Sequence, residues 1–281
     1  MTGPPAPDPL YVAARAVLLD AVALLAPHSS AIILVGAQAV YLRTGHGQIG
    51  LTIAPYTTDV DLAIDPTLLQ RTPDVQALMT DAGFTADNPG MWQKLVQVGD
   101  TEVIVPVDLI VPEGASTGEG RRAARIPPHG KKSARRAVGL EAALVDHSPM
   151  AVGALDPSDG RQVAVEVAGP AALLVAKAHE VHDRAVARSP RRLSNKDAAD
   201  VYRIMQSIPP TAVTGSLVHL LGDPRSSETT GRALDYMDAL FGRRAGEGVD
   251  MAQQALHLAV DPEQVATLCV AFTGELRKVL S

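Results

Sequence analysis

The spacing of apolar residues changes near Ala168, and this change constrains the fold of the 281-residue chain more than any other feature. Upstream, short apolar runs bounded by glycine and proline predict β-strands at residues 31–35, 59–64 and 102–111. Downstream, apolar residues recur at helical spacing and predict helices at about 170–188, 195–208, 211–222, 227–243, 249–259 and 261–280. The sequence therefore predicts an α/β domain over residues 1–168 and a helical domain over residues 169–281.

The predicted α/β domain also contains its own helices and further strands. Helical spacing predicts helices at residues 9–25, 37–44 and 67–82, the last of which is stopped by Gly83. A strand at 92–98 is predicted to form a hairpin with 102–111 across Gly99 and Asp100. Three more segments, 142–145, 150–155 and 162–167, are predicted to extend the sheet, whereas 112–137 has no periodicity and predicts a mobile loop.

Three aspartates lie on two of these predicted strands. Asp59 and Asp61 are two residues apart, so a strand presents both carboxylates on one face, although the same pair would also suit a surface turn. Asp108 interrupts an apolar run that reads as a buried strand, where a carboxylate must lose its charge or find a cation. Hard oxygen donors that converge from neighbouring strands are those that Mg²⁺ prefers beside phosphates, which indicates metal-assisted phosphoryl or nucleotidyl transfer.

A glycine precedes this aspartate pair at a junction between a strand and a helix. Gly36 ends the predicted strand at 31–35, and the helix at 37–44 follows directly. Because glycine has no side chain, phosphate oxygens can approach the backbone N–H groups at the start of such a helix. The segment is therefore a candidate phosphate-binding element.

The helical half contains one lysine among apolar residues and two aspartates at the start of the next helix. Lys177 follows Leu173 to Ala176, so we expect it to be less exposed than an average lysine; the alternative is a side chain that extends to solvent from the helix edge. Asp197 and Asp200 fall in the first turns of a helix, where they are candidates for catalysis or for helix stabilisation behind a Ser194 cap.

Composition limits the class of protein. The net charge of −6, the single cysteine (Cys269) and the basic-poor, proline-rich start predict a cytoplasmic protein with no internal disulfide, secretion signal or membrane span. The charge distribution is uneven, because residues 120–136 contain seven basic residues and no acidic one, and a second basic group lies at 184–196. These clusters could attract a polyanion such as a triphosphate or RNA, or could be ordinary solvated loops.

Taken in order, these segments resemble a known family. Ile33-Leu-Val-Gly-Ala-Gln-Ala-Val-Tyr followed by Thr57-Thr-Asp-Val-Asp-Leu-Ala-Ile resembles the first motif of the DNA polymerase β-type nucleotidyltransferases, and in particular of the AbiEii/MenT-like toxins of type IV toxin–antitoxin systems. The segment Ala171-Ala-Leu-Leu-Val-Ala-Lys-Ala-His-Glu is similar to that group's lysine-bearing helix, and Ser194-Asn-Lys-Asp-Ala-Ala-Asp to the helix after it. The resemblance covers most of residues 31–205.

The resemblance implies roles for individual residues and a nucleotidyltransferase-type mixed sheet with flanking helices. Asp59 and Asp61 match the metal-binding pair, and Asp108 matches the third carboxylate, which helps activate the acceptor hydroxyl. Lys177 matches the lysine that grips the triphosphate, and Gly36, Ala37 and Thr58 match the nucleotide-binding glycine motif. Asp197 matches the downstream catalytic acid, which the helical domain brings to the cleft, and Asp200 is a second candidate for that acid. Alanine at 37, where many members have serine, removes one hydroxyl donor to the phosphates.

The function that the resemblance implies is transfer of a nucleoside monophosphate from an NTP to an acceptor hydroxyl, with a two-metal Mg²⁺ site. The expected acceptor is tRNA, contacted by the basic residues Arg121, Arg122, Lys131, Lys132, Arg135 and Arg136, and the expected role is that of a toxin with an antitoxin partner. Two alternatives remain at this stage: a nucleotidyltransferase acting on a small molecule or a protein, and a non-catalytic nucleotide-binding member.

Overall fold

The computed structural model describes residues 7–45, 57–116, 123–187 and 195–280, which form two compact units. In the described ranges, the first unit comprises 7–38, 57–116, 123–137 and 147–167, and the second comprises 39–45, 138–146, 168–187 and 195–280. Two segments of the second unit, 39–45 and 138–146, thus fall within the predicted first domain.

Within the described ranges, a mixed sheet of eight strands forms the centre of the first unit. The strands are β1 (Ile32–Val35), β2 (Val60–Ile64), β3 (Thr85–Asn88), β4 (Met91–Val98), β5 (Thr101–Pro112), β6 (Arg135–Ala137), β7 (His147–Gly153) and β8 (Gln162–Ala168). Their order is β3-β4-β5-β2-β1-β8-β7, with β6 beside β5. Strand β2 runs antiparallel to β1 and parallel to β5, whereas β4 runs antiparallel to both β3 and β5.

Strand β5 shows which face of this sheet carries the core. Val105, Val107 and Leu109 are buried, whereas Ile104 and Pro106, which alternate with them, are exposed. Helix α1 (Pro9–Leu24) packs against β2, β4 and β5, so it covers the buried face. Because side chains alternate along a strand, the opposite face carries the even-numbered residues of β5, including Asp108.

The predicted helix at 67–82 is wrong in its first half. Only α3 (Val75–Asp81) forms, and its N-cap is Asp74, whose carboxylate accepts a hydrogen bond from Ala77 N at 2.7 Å. Upstream, the Asp65 carboxylate accepts hydrogen bonds from the backbone N (2.8 Å) and hydroxyl (2.6 Å) of Thr67. These side-chain bonds give the backbone a turn in place of a helix, which apolar spacing alone does not reveal.

The predicted loop at 112–137 is partly a strand. Residues 135–137 form β6, which pairs in parallel with β5 through Ile110–Arg135 and Val111–Arg136. Ala124 and Ala134 are buried, and the backbone N of Ala124 donates to Ala134 O at 3.0 Å. A strand of three residues is too short to show a period, so the prediction of a mobile loop is wrong for this part.

The second unit is helical and packs around α4 (Pro170–Ala187), which contacts α5 (Lys196–Ser207) and α7 (Ser227–Phe241). The segment 142–145, predicted as a strand, is instead part of a 3₁₀ helix, Glu141–Leu144, which packs against α4. The Glu141 carboxylate accepts a hydrogen bond from Gly139 N at 3.0 Å, which closes this turn locally. The other helices are α2 (Gly36–Thr44, shared with the first unit), α5 (Lys196–Ser207), α6 (Pro210–Gly222), α7 (Ser227–Phe241), α8 (Glu247–Leu256) and α9 (Pro262–Leu280).

Candidate functional site

Asp61 and Asp108 lie directly beside each other on parallel strands. In the pairing of β2 with β5, Asp61 is the register partner of Asp108. Neighbouring strands are about 4.8 Å apart, so the two carboxylates emerge from adjacent positions on one sheet face. Asp59 lies two residues before Asp61, just ahead of the first residue of β2. The sheet register therefore brings Asp61 and Asp108 together, whereas Asp59 lies just before the start of β2.

Gly36 lies against this carboxylate pair. Its backbone has φ +68°, and a Cβ at this position would lie 2.1 Å from Asp61 Oδ2. Side chains essentially never approach so closely, so residue 36 must be glycine for Asp61 to keep its position. The sequence indicates one reason for a glycine here, which is the approach of phosphate oxygens to the backbone. The structure gives a second reason, which is space for the Asp61 carboxylate.

A chain of buried polar contacts holds the backbone at Asp59. Gln38 Nε2 donates to the Asp59 carbonyl at 3.1 Å, and Arg15 Nε donates to Gln38 Oε1 at 2.9 Å. Arg15 Nη2 also donates to the Tyr11 hydroxyl at 2.9 Å, while the Thr57 hydroxyl donates to Asp59 Oδ1. Arg15 is only 3% exposed, and burial lowers the pKa of its guanidinium.

Sequence reasoning missed Arg15 and Gln38, although a signal existed. Arg15 is the one charged residue between Leu10 and Leu19 in a helix whose neighbours are apolar. A cation in an otherwise buried stretch of helix requires polar partners, because its desolvation is otherwise uncompensated. The identity of those partners depends on the tertiary fold.

Arg135 pairs with Asp108 within the chain. It was expected to contact an acceptor, but its Nη2 lies 2.6 Å from Asp108 Oδ2 and its Nε 2.9 Å from the same oxygen. The two side chains are 28% and 19% exposed. The cation that Asp108 was predicted to need is therefore supplied, in this structure, by a guanidinium on the neighbouring strand β6.

The carboxylate oxygens of Asp59, Asp61 and Asp108 fit the chemistry of a Mg²⁺ site, because hard oxygen donors are what this ion prefers. Their side chains are not gathered into a cluster: within the described ranges, no group of three or more His, Cys, Asp or Glu side chains is arranged to hold a metal ion. Among the other residues predicted for this region, Ala37 is buried and Thr58 is half-buried.

The second unit contains a separate cluster around Lys177. Its Nζ lies 2.6 Å from Asp197 Oδ1, 2.8 Å from Glu180 Oε2 and 3.2 Å from Asp200 Oδ2, while Arg184 pairs with the other oxygen of Asp197. The Lys177 side chain is 5% exposed, so the expected low exposure is confirmed and a side chain extending to solvent is excluded. The structure thus brings Lys177, Asp197 and Asp200 together, and adds Glu180.

The charges in this cluster depend on one another. Burial opposes the charge on Lys177, but the carboxylates of Asp197, Glu180 and Asp200 raise its pKa well above the usual value. Burial likewise opposes ionisation of Asp197, yet Lys177 and Arg184 hold its pKa at about 2. Burial raises the pKa of Asp200 and of Glu180, although the Glu180 side chain keeps 40% of its surface exposed.

The predicted helix-capping role of the serine before α5 cannot be placed, because Ser194 lies outside the described residues. Asn195 is the N-cap of α5 and makes no side-chain capping hydrogen bond. Asp197 lies in the first turn of α5, and both Asp197 and Asp200 form ion pairs with Lys177.

The other basic residues predicted to contact the acceptor have different surroundings. Lys131 is exposed, Lys132 Nζ donates to Ala86 O at 2.9 Å, and Arg136 pairs with Glu113 at 3.2 Å. Arg121 and Arg122 lie outside the described residues. Lys132 and Arg136 thus have local structural partners, as Arg135 does.

None of the helices in the described ranges has the length and apolar character needed to span a bilayer. No protein-family model matches the chain, and none of the curated proteins compared with it matches either. A proposal of function for this chain therefore rests on its site residues and sequence motifs.

Proposed function

We propose that the chain is a metal-dependent nucleotidyltransferase that transfers a nucleoside monophosphate from an NTP to an acceptor hydroxyl. The proposal rests mainly on one observation: Asp61 and Asp108 are register partners on β2 and β5, with Asp59 two residues ahead of Asp61. Aligned carboxylates on one sheet face suit a reaction in which negative charge accumulates on several oxygens at once. The sheet would then be of the nucleotidyltransferase type.

Asp59, Asp61 and Asp108 would hold the metal ions. When bound, Mg²⁺ would supply positive charge to the oxygens of the reacting phosphate. In the transfer itself, the acceptor hydroxyl gives its proton to the Asp108 carboxylate, and its oxygen forms a bond to the α-phosphorus. The bond from that phosphorus to the bridging oxygen breaks, and pyrophosphate leaves.

The residues around the carboxylates have supporting roles in this proposal. Gly36 leaves space for Asp61, and the Arg15–Gln38 contact holds the backbone at Asp59, so both act by positioning. Gly36, Ala37 and Thr58 would bind the nucleotide. Lys177 would bind the triphosphate once its Nζ exchanges a carboxylate for a phosphate oxygen, which is a comparable charge-assisted partner. Asp197, or Asp200 in its place, would be the downstream acid.

We further propose tRNA as the acceptor and a toxin–antitoxin pair as the biological setting. Support for the RNA acceptor comes from the basic segment at 125–136, in which Arg125 and Lys131 are exposed. Polyanions are attracted to such local positive charge even on a chain whose net charge is −6. The toxin–antitoxin setting rests on the resemblance of the sequence motifs.

The test is incubation of the purified protein with total RNA, Mg²⁺ and each α-³²P-labelled NTP in turn. Label in tRNA-sized RNA is the expected result, and it should disappear in Asp61→Asn, which keeps the side-chain shape. Asp87→Asn, an exposed aspartate on β3, is the matched control. Label that persists in Asp61→Asn, or that appears in no product with any NTP, would contradict the proposal.

One observation favours a second candidate, a non-catalytic nucleotide-binding protein. The two side chains expected to face substrate, Asp108 and Lys177, are both paired with opposite charges inside the chain. In that case NTP binding by calorimetry would persist while no label is transferred. Label transfer by the wild-type chain would exclude this candidate.

A further inference from the structure

Two buried histidines hold the segment that leads into α3. The ring Nε2 of His28 lies 2.9 Å from the carbonyl oxygen of Pro73. His129 accepts a hydrogen bond at Nδ1 from Val75 N (3.2 Å), and its Nε2 lies 2.9 Å from Gln70 O. The two histidines are 0% and 8% exposed, so groups of the protein supply nearly all of their polar contacts.

These contacts define the protonation state of the His129 ring. A backbone N–H can only donate, so Nδ1 must accept the bond from Val75 and carries no proton. A carbonyl oxygen can only accept, so Nε2 carries the single ring proton and donates it to Gln70 O. A second proton, at Nδ1, would set two donors against each other at 3.2 Å. The contact with Val75 therefore exists only while His129 is neutral.

The groups around His129 oppose its protonation on balance. The His28 ring lies edge-on to it with the ring centroids 5.4 Å apart, so two imidazolium cations would repel each other. Burial lowers the pKa of His129, and the charges of His28 and Arg71 lower it further. The Gln70 carbonyl and the Asp74 carboxylate act in the opposite direction. The folded ring thus takes up a proton at a lower pH than an unfolded histidine, whose pKa is about 6.5.

The His129 contact is the buried one between the two segments that it joins. Gly130 N also donates to Asp74 Oδ2, at 2.8 Å, but this bond is only partly buried. Further along the chain, Ser133 O accepts a hydrogen bond from Trp92 Nε1 at 3.1 Å, which no histidine titration affects. A change at His129 should therefore loosen the residues around it and stop before β6.

We propose that His28 and His129 form a pH-sensitive latch between residues 70–75 and 126–131. While His129 is neutral, the two segments stay together; when it takes up a proton, the Val75 contact breaks and the segments separate locally. Because the folded ring resists protonation, the latch is closed above about pH 6.5 and weakens as the pH falls. The latch lies within the basic segment proposed to contact the acceptor, but it does not depend on that function.

The test is hydrogen exchange of the full chain at pH 7.5 and 5.5, followed by mass spectrometry and corrected for the intrinsic effect of pH on exchange. Peptides that cover 70–76 and 126–131 should exchange about threefold or more faster at pH 5.5, which is the size expected when one ring with a lowered pKa gains a proton. Peptides from β5 should show no comparable rise, because the opening is local.

His129→Asn is the decisive variant, because its Oδ1 can accept the Val75 bond without titrating. The rise in exchange at pH 5.5 should disappear in this variant. His147→Asn removes a half-buried histidine of β7 in the same unit, so it is the matched control and should keep the rise.

A measurement on the wild-type ring needs no variant. In ¹⁵N NMR spectra, Nδ1 of His129 should carry no proton at pH 7.5. A protonated Nδ1 at that pH, or no local rise in exchange at pH 5.5, would overturn the latch. So would an equal rise in His129→Asn or in β5, or loss of the rise in His147→Asn.

Discussion

Arg135 donates two hydrogen bonds to a single oxygen of Asp108, from Nη2 at 2.6 Å and from Nε at 2.9 Å. The two residues come from strands that pair in parallel, so the contact depends on residues 27 positions apart in sequence. The same Asp108 is the register partner of Asp61. An internal cation therefore neutralises one member of the carboxylate pair proposed to bind metal.

Replacing Arg135 should strengthen cation binding. In Arg135→Gln the Asp108 carboxylate no longer has its guanidinium partner, so a divalent ion meets less competition. A partly exposed ion pair is worth about 1 kcal/mol or less, which corresponds to at most about fivefold in affinity. Titration with Mn²⁺, followed by calorimetry or by EPR, measures this directly. Arg136→Gln, which removes the pair with Glu113, is the control, and equal affinities in both variants would refute the prediction.

Gly36→Ala should destabilise the chain more than Gly99→Ala does. Both glycines have positive φ, +68° and +60°, so both variants carry the left-handed strain of about 1 kcal/mol. A Cβ at residue 99 has no heavy atom within 4 Å, whereas at residue 36 it would collide with Asp61. The difference between the two free energies of unfolding, measured in urea, isolates the collision. If the two variants lose the same stability, Asp61 can move away without cost.

Lys177→Met should be strongly destabilising. The substitution leaves Asp197, Asp200 and Glu180 close together without their shared cation, and breaking a buried ion pair costs about 3–5 kcal/mol. Lys278→Met removes an exposed pair with Glu275 and should change stability by less than about 0.5 kcal/mol. Thermal and urea unfolding of both variants provide the measurement.

A partial rescue separates this electrostatic cause from lost packing. Adding Asp200→Asn to Lys177→Met removes one of the uncompensated charges and should recover part of the stability. No recovery would mean that Lys177 contributes through the packing of its side chain.

His179 should contribute a loss of stability on acidification below about pH 6.5. This side chain is 3% exposed, and burial lowers its pKa, while its ring nitrogen Nε2 lies 3.0 Å from Thr229 O. The unfolded chain binds a proton near pH 6.5 and the folded chain only at lower pH, so stability is complete above that value and is lost as the pH falls. Between the two pKa values the slope reaches at most about 1.4 kcal/mol per pH unit.

Proton uptake on unfolding tests this expectation. Acidification from pH 7.5 to 5.5 should cost His179→Gln less stability in urea than it costs the wild-type chain. His257→Gln, at an exposed position, is the matched control. An unaltered slope in His179→Gln would show that this ring is protonated equally easily in both states.

Apolar periodicity sufficed to predict most helices and strands. The predicted helix at 170–188 is α4 at Pro170–Ala187, and the predicted hairpin is β4 and β5 at Met91–Val98 and Thr101–Pro112. Periodicity failed where side-chain hydrogen bonds determine the backbone conformation, as at Asp65 and Asp74. It also failed where an element is as short as β6. Local capping and pairing with distant strands leave no periodic signal in sequence.

For the candidate site, the sequence by itself determined that Asp61 and Asp108 lie on strands, because each is flanked by apolar residues. The predicted strand at 59–64 begins one residue too early, since Asp59 lies just ahead of β2. Only the tertiary structure decided their partners: the Asp61–Asp108 register, the Arg135 ion pair, the Gly36 contact and the carboxylates around Lys177. The physical reason is that the partners of a buried charge are whatever groups folding brings within a few ångströms. That depends on contacts between segments far apart in the chain, which local residue patterns do not specify.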